Sequence, residues 1–79
     1  MKQIDKLRSY ILENEFKMTI LENKIDIVNY ISIEHFDLNK IIVKYEKGYI
    51  TINGTNLVVT KLVTDEILIT GVIKNIELR

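Results

Sequence analysis

The chain contains no cysteine, no proline and no tryptophan. Without cysteine, neither a disulfide nor a thiolate-bound metal can brace a small core. Histidine occurs once, at His35. A metal centre needs several convergent ligands, and a catalytic histidine needs a nucleophile or orienting partner at a workable spacing. Neither accompanies His35, so the expectation is an exposed histidine beside a turn. Charge of one sign is also missing: eleven basic and eleven acidic side chains cancel. That argues against a protein that grips a phosphate backbone, which needs a basic footprint. No apolar run approaches the ~20 residues of a membrane span. The opening Met1-Lys2-Gln3-Ile4-Asp5-Lys6 is charged and mixed, unlike a secretory leader. A cytoplasmic location is therefore expected. Abundant Ile, Lys and Asn fit the codon usage of an AT-rich genome and say nothing about fold.

What is present is β-forming. The 79 residues read as one domain, residues 1–79, near the lower limit of size for folding alone; a chain this short buries only about 60% of its unfolded surface. Residues 2–14 read as an N-terminal helix, with Ile4, Leu7 and Ile11 on one face, Leu12 widening it and Asn14 as C-cap. At about three turns it is marginal in isolation and needs a surface to lie on. From Phe16 the period becomes two. Phe16, Met18 and Ile20 alternate with Lys17, Thr19 and Leu21, and Glu22-Asn23 makes a turn. Ile25, Ile27, Asn29 and Ile31 alternate with Asp26, Val28 and Tyr30, and a break follows near Phe36-Asp37-Leu38-Asn39. Ile41 to Glu46 is the next strand, and Lys47-Gly48 turns it into Tyr49 to Asn53. Asn53-Gly54 is the strongest hairpin signal, with Gly54 expected at positive φ. Leu57 to Leu62 and Glu66 to Thr70 follow, joined by a turn at Val63-Thr64-Asp65. After Gly71 the apolar phase slips, which predicts a bulge or bend there.

Short connections imply antiparallel neighbours. The predicted fold is mainly β: an antiparallel meander of about six strands over residues 16–78, curled or closed into a small sandwich, with the N-terminal helix packed on it. The units Ile50-x-Ile52-x-Gly54 and Ile67-x-Ile69-x-Gly71 echo each other, but two copies do not make a solenoid. Several strands are apolar on both faces, as in Ile41-Ile42, Leu57-Val58-Val59 and Ile67-Leu68-Ile69. One short helix cannot cover two faces, so the sheet must curl or take a partner.

No chemistry-bearing motif stands out. Asp65-Glu66 and Glu13-Glu15 are carboxylate pairs at turns or element ends, where solvation suits cap roles better than acid–base work across a cleft. The three glycines are separate and lie between strands, unlike a phosphate loop followed by Lys-Ser/Thr and a helix. The aromatic residues have no interleaved Lys/Arg stripe for stacking bases; Tyr45 and Tyr49 read as cross-strand packing beside a turn. No catalytic residue, cofactor or metal ligand is therefore assigned. Gly48, Asn53, Gly54 and Gly71 are assigned as structural turns. Ile73, Ile76 and Leu78, on a C-terminal strand read as a sheet edge, are the candidate interface.

From about Phe16 to Leu78 the sequence resembles the YabP/YqfC-type sporulation proteins of spore-forming bacteria. The resemblance is carried by Ile41-x-Val43 leading to Gly48, then Tyr49-Ile50-x-Ile52-x-Gly54-x-x-Leu57-x-Val59, then Glu66-Ile67-x-Ile69-x-Gly71-x-Ile73-x-x-Ile76. The stretch from Ile31 to Asp37 departs from the pattern. The resemblance implies a small non-enzymatic protein of endospore formation, an assembly or scaffolding factor at the developing spore. It also implies a protein partner, such as a membrane-bound sporulation protein, and peripheral placement at the spore membrane. Self-association into a homo-oligomer is a further expectation, and no nucleic acid is expected. Two other readings compete: a self-assembling structural β-subunit unrelated to sporulation, and, more weakly, a nucleic-acid-binding small β-barrel. Salt-sensitive binding to single strands would favour the last.

Overall fold

The computed structural model describes residues 15–79; the helix expected over residues 2–14 lies outside the described residues. Six strands follow in chain order: β1 (Lys17–Leu21), β2 (Lys24–Val28), β3 (Ser32–Phe36), β4 (Lys40–Tyr45), β5 (Gly48–Val63) and β6 (Glu66–Leu78). All pairings are antiparallel, and the sheet order is β1-β2-β6-β5-β4-β3. The expected mainly-β, six-stranded antiparallel class is the one found. It departs from a simple meander at one joint: β2 pairs with β6, not with β3.

Two long strands explain that joint. β5 has 16 residues and β6 has 13, and they form one continuous hairpin. β4 pairs only with residues 48–53 of β5, and β2 only with residues 66–70 of β6. The sheet therefore has two halves that share the hairpin. The first half holds β1, β2, residues 66–70 and residues 58–63. The second holds β3, β4, residues 48–53 and residues 73–78.

The hairpin is bent back between them. A straight 16-residue strand would span about 50 Å. Yet Asn29 N–H donates to the Asp65 carbonyl (2.6 Å), and Ile31 N–H donates to the Lys44 carbonyl (2.8 Å). The link from Asn29 to Ile31 covers only about 7 Å. Asp65 lies just past the end of β5, and Lys44 pairs with Tyr49 at its start. The two ends of β5 thus lie within roughly 20 Å of each other. Phe16, beside β1, meets Tyr45 at the end of β4 with ring centroids 4.4 Å apart. Four strand spacings would separate those strands by about 19 Å in a flat sheet.

The bend coincides with register slips at Asn53/Gly54, Thr55/Val58 and Val59/Lys61. Each slip adds an unpaired residue to one strand, which kinks and twists it. Asn56 takes φ 54° and Gly71 φ 134° within the bend, and Leu57 is fully buried there.

The bend corrects one expectation: Asn53-Gly54 is not a hairpin turn but lies inside β5. Gly54 is not among the positive-φ residues. Its need for glycine is steric, because a Cβ there would stand 2.1 Å from the Val72 carbonyl oxygen and 2.9 Å from Leu57 Cδ2. A flexible Asn-Gly pair signals a break in regular pairing, and a bulge uses that freedom as readily as a turn does. The C-terminal strand also needs correcting, since residues 73–78 continue β6 beyond Gly71. The phase slip predicted at Gly71 is present as a bend within one strand, not as the start of another.

Among the described residues the core is nine fully buried aliphatic side chains: Ile25, Ile27, Ile41, Val43, Ile50, Ile52, Leu57, Ile67 and Ile69. They form one cluster. In the first half Ile25 pairs with Ile69 and Ile27 with Ile67. In the second half Ile41 pairs with Ile52 and Val43 with Ile50. The bend brings these inner faces together, which closes the core that a flat sheet would expose.

Candidate interaction surface

Each residue singled out in the sequence has a definite place in this frame. Gly48 closes the β4–β5 turn opposite Tyr45, and its neighbour Tyr49 exchanges both backbone hydrogen bonds with Arg79 (2.7 and 2.8 Å). Asn53 and Gly54 lie in β5 and Gly71 in β6, all at the bend. Gly54 N–H donates to the Asn39 carbonyl (3.0 Å), and Gly71 N–H donates to the Asn23 carbonyl (3.2 Å). The two glycines thus clamp the β3–β4 and β1–β2 turns onto the hairpin.

The three candidate interface residues divide. Ile73 and Ile76 are half-buried against the core, and Ile76 pairs with Ile52. Leu78 is exposed. Ile76 therefore serves the fold, so substituting it cannot isolate an interface.

Two polar arrangements among the described residues are not apparent in the sequence. On the outer face of the first half, burial raises the Asp26 carboxyl above its ordinary 3.8, aided by its hydrogen bond to Glu66 and the Glu66 charge. Glu66 is lowered by that same bond and by Lys61, whose Nζ lies 3.4 Å from Glu66 Oε1. The shared bond thus shifts the two carboxyls in opposite directions, Asp26 upward and Glu66 downward. In the β3–β4 turn, Asp37 Oδ1 accepts from the backbone N–H groups of Asn39 and Lys40 (2.7 Å each), and Asp37 Oδ2 bonds His35 Nε2 (2.7 Å). The His35 bond, then the two backbone N–H groups, hold Asp37 below the usual carboxylate range. This is an Asx turn, and Asp37 two residues before Asn39 was its available signal. His35 is half-exposed.

Among the described residues no three His, Cys, Asp or Glu side chains converge where a metal ion could sit. An open cleft of about 450 Å³ is lined by Glu15, Phe16, Tyr45, Glu46 and Lys47. It sits where the described chain begins. No helix among the described residues is long and apolar enough to cross a membrane.

The surface is richer in apolar groups than in chemistry. Ile20, Leu21, Ile31, Phe36, Leu38, Leu62, Val72 and Leu78 are each more than half exposed. Ile20, Phe36, Leu62 and Leu78 occupy inner-face positions at the flanks of the core, opposite Ile25, Ile41, Ile67 and Ile50. Apolar rims of this kind suit contact with other proteins.

Fold and surface together define a small bent-sheet β domain, built around an aliphatic core and open at its strand edges. The YabP family model matches residues 11–79, and the chain belongs to that family. Membership points to a sporulation-related protein. Comparisons with curated proteins and with solved structures found no match.

Proposed function

We propose that this chain is a non-enzymatic sporulation protein, an assembly or scaffolding factor that works through protein–protein contacts at the developing spore. Membership of the YabP family over residues 11–79 carries the reading. Two observations support contact over catalysis: the apolar rim described above and sheet edges that offer unpaired backbone groups. In this reading the protein sits on the cytoplasmic side, peripheral to the spore membrane, with a membrane-bound sporulation protein as partner.

The test is a deletion strain scored for heat-resistant spores, with co-purification of the tagged protein from sporulating cells. A large fall in spore yield and recovery of a spore-membrane protein are expected. Normal spore yield would overturn the sporulation role. Normal yield together with self-association would favour a structural β-subunit outside sporulation.

A further inference from the structure

Four stretches have a ladder partner on one side only among the described residues: β1, β3, residues 58–63 of β5 and residues 72–78 of β6. Sheets guard such edges with bulges and charges. β3 has a bulge at Glu34, between Ile33 and His35. The β5 stretch has a slip at Thr60 followed by Lys61, and the β6 stretch has an extra residue at Lys74, with Glu77 beyond it. β1 has no such guard. Its five residues pair with β2 without a slip, and its one charge is Lys17 at the start. Ile20 and Leu21 are 53% and 55% exposed.

We propose that β1 is the edge through which a second copy of this chain pairs, antiparallel and centred on Thr19. The proposal rests on the reading that the protein acts through protein contacts, and it names one such partner. Residues facing each other in a ladder share a sheet face, so a two-fold antiparallel pair centres on a residue. Centring on Thr19 engages all of β1. Thr19 then faces Thr19 of the second copy, Met18 faces Ile20, and Lys17 faces Leu21. The two Lys17 side chains fall at opposite ends, about 13 Å apart along the strands, so no like charges oppose. The apolar row Ile69–Ile25–Ile20 runs on into Met18–Ile27–Ile67 of the second copy. The contact is closed, because it consumes the unguarded edge of both copies.

Sedimentation velocity of the full chain should show a dimer at tens of micromolar. Thr19→Lys, which sets two ammonium groups face to face at the symmetry axis, should halve the mass while the circular dichroism spectrum stays unchanged. Because the chain has no cysteine, Thr19→Cys supplies a second reading that does not depend on Thr19→Lys folding. Facing Cα atoms in such a ladder lie about 4.5–5.5 Å apart, within disulfide reach. Oxidation should link Thr19→Cys into dimers and leave Lys17→Cys unlinked. A monomeric wild type, a Thr19→Lys dimer, or equal linking of both cysteine variants would overturn the proposal. None of these readouts depends on spore yield, so the dimer and the sporulation role fail separately.

Discussion

The two halves of the sheet are near-equivalents inside and unlike outside. Ile25 and Ile27 on β2 correspond to Ile41 and Val43 on β4, and Ile69 and Ile67 correspond to Ile52 and Ile50. Asn23–Gly71 in one half matches Asn39–Gly54 in the other, each joined by a backbone hydrogen bond. On the outer face the match ends. Asp26 stands where the second half has Ile42, and the smooth edge of β1 stands where β3 carries a bulge. The inner rows answer to one shared core, so packing holds them alike. The outer face and edges answer to no shared core and are free to differ.

The equivalence is broken most severely at the clamps. Gly54→Val would drive a side chain into the Val72 carbonyl, whose oxygen would lie 2.1 Å from the new Cβ. Overpacking against backbone cannot be relieved by a rotamer change, so a loss of about 3 kcal/mol or more is expected. Gly71→Ala should cost about 2 kcal/mol through its φ of 134° and the Asn56 carbonyl 2.6 Å away. Urea midpoints of both variants check this. An unchanged midpoint for Gly54→Val would mean the bend does not need the close approach of the two strands.

A gentler cut measures the equivalence itself. Ile69→Val and Ile52→Val each remove one methylene from fully buried, corresponding positions. Each should cost about 1 kcal/mol, and the two losses should agree within about 0.5 kcal/mol. A large disparity in denaturant unfolding would show that the halves are not equally packed.

The inner rows were legible in the sequence because alternation is a local signal. Ile50-x-Ile52-x-Gly54 and Ile67-x-Ile69-x-Gly71 announced both the strands and their likeness. The bend was not legible, because it depends on where β2 and β4 stop pairing along the long hairpin, a non-local fact. Asn53-Gly54 reads as a turn for that reason: glycine needed for a close approach and glycine needed for a turn look alike in one dimension. β3 does not stand out in the sequence because its bulge at Glu34 interrupts the alternation that marks a strand. The edge at β1 is a property of sheet order, which β2–β6 pairing decides.

A smaller effect tests the outer face. Asp26 has a folded pKa above its ordinary value, so its contribution is present at low pH and is lost as pH rises through that raised value. Glu66 has the opposite sense: its contribution is present above its ordinary 4.5 and is lost as pH falls through the lowered value. Asp26→Asn keeps a hydrogen-bond donor toward Glu66 and removes the charge. The variant should have a higher urea midpoint than wild type at pH 7, and the gain should shrink by pH 4, where Asp26 is itself increasingly protonated. No gain at pH 7 would show that the paired carboxyls impose no strain on this half.

The smallest effect separates the two turns that the glycines clamp. The β3–β4 turn is tied by Asp37 to the backbone of Asn39 and Lys40, while Glu22-Asn23 turns β1 into β2 in two residues. Asp37→Ala should lower the melting temperature slightly at pH 7, because the carboxylate accepts three bonds that alanine cannot. With its folded pKa lowered, the Asp37 contribution is present above the ordinary 3.8 and fades as pH falls through the lowered value. The gap between wild type and Asp37→Ala should therefore close in acid. His35→Asn should move the melting temperature less than Asp37→Ala, since it leaves both backbone bonds to Asp37 in place. Equal losses would place the turn's stability in the His35 contact. A gap that stays open at pH 2 would mean that alanine acts on the backbone of the turn and not through the lost carboxylate.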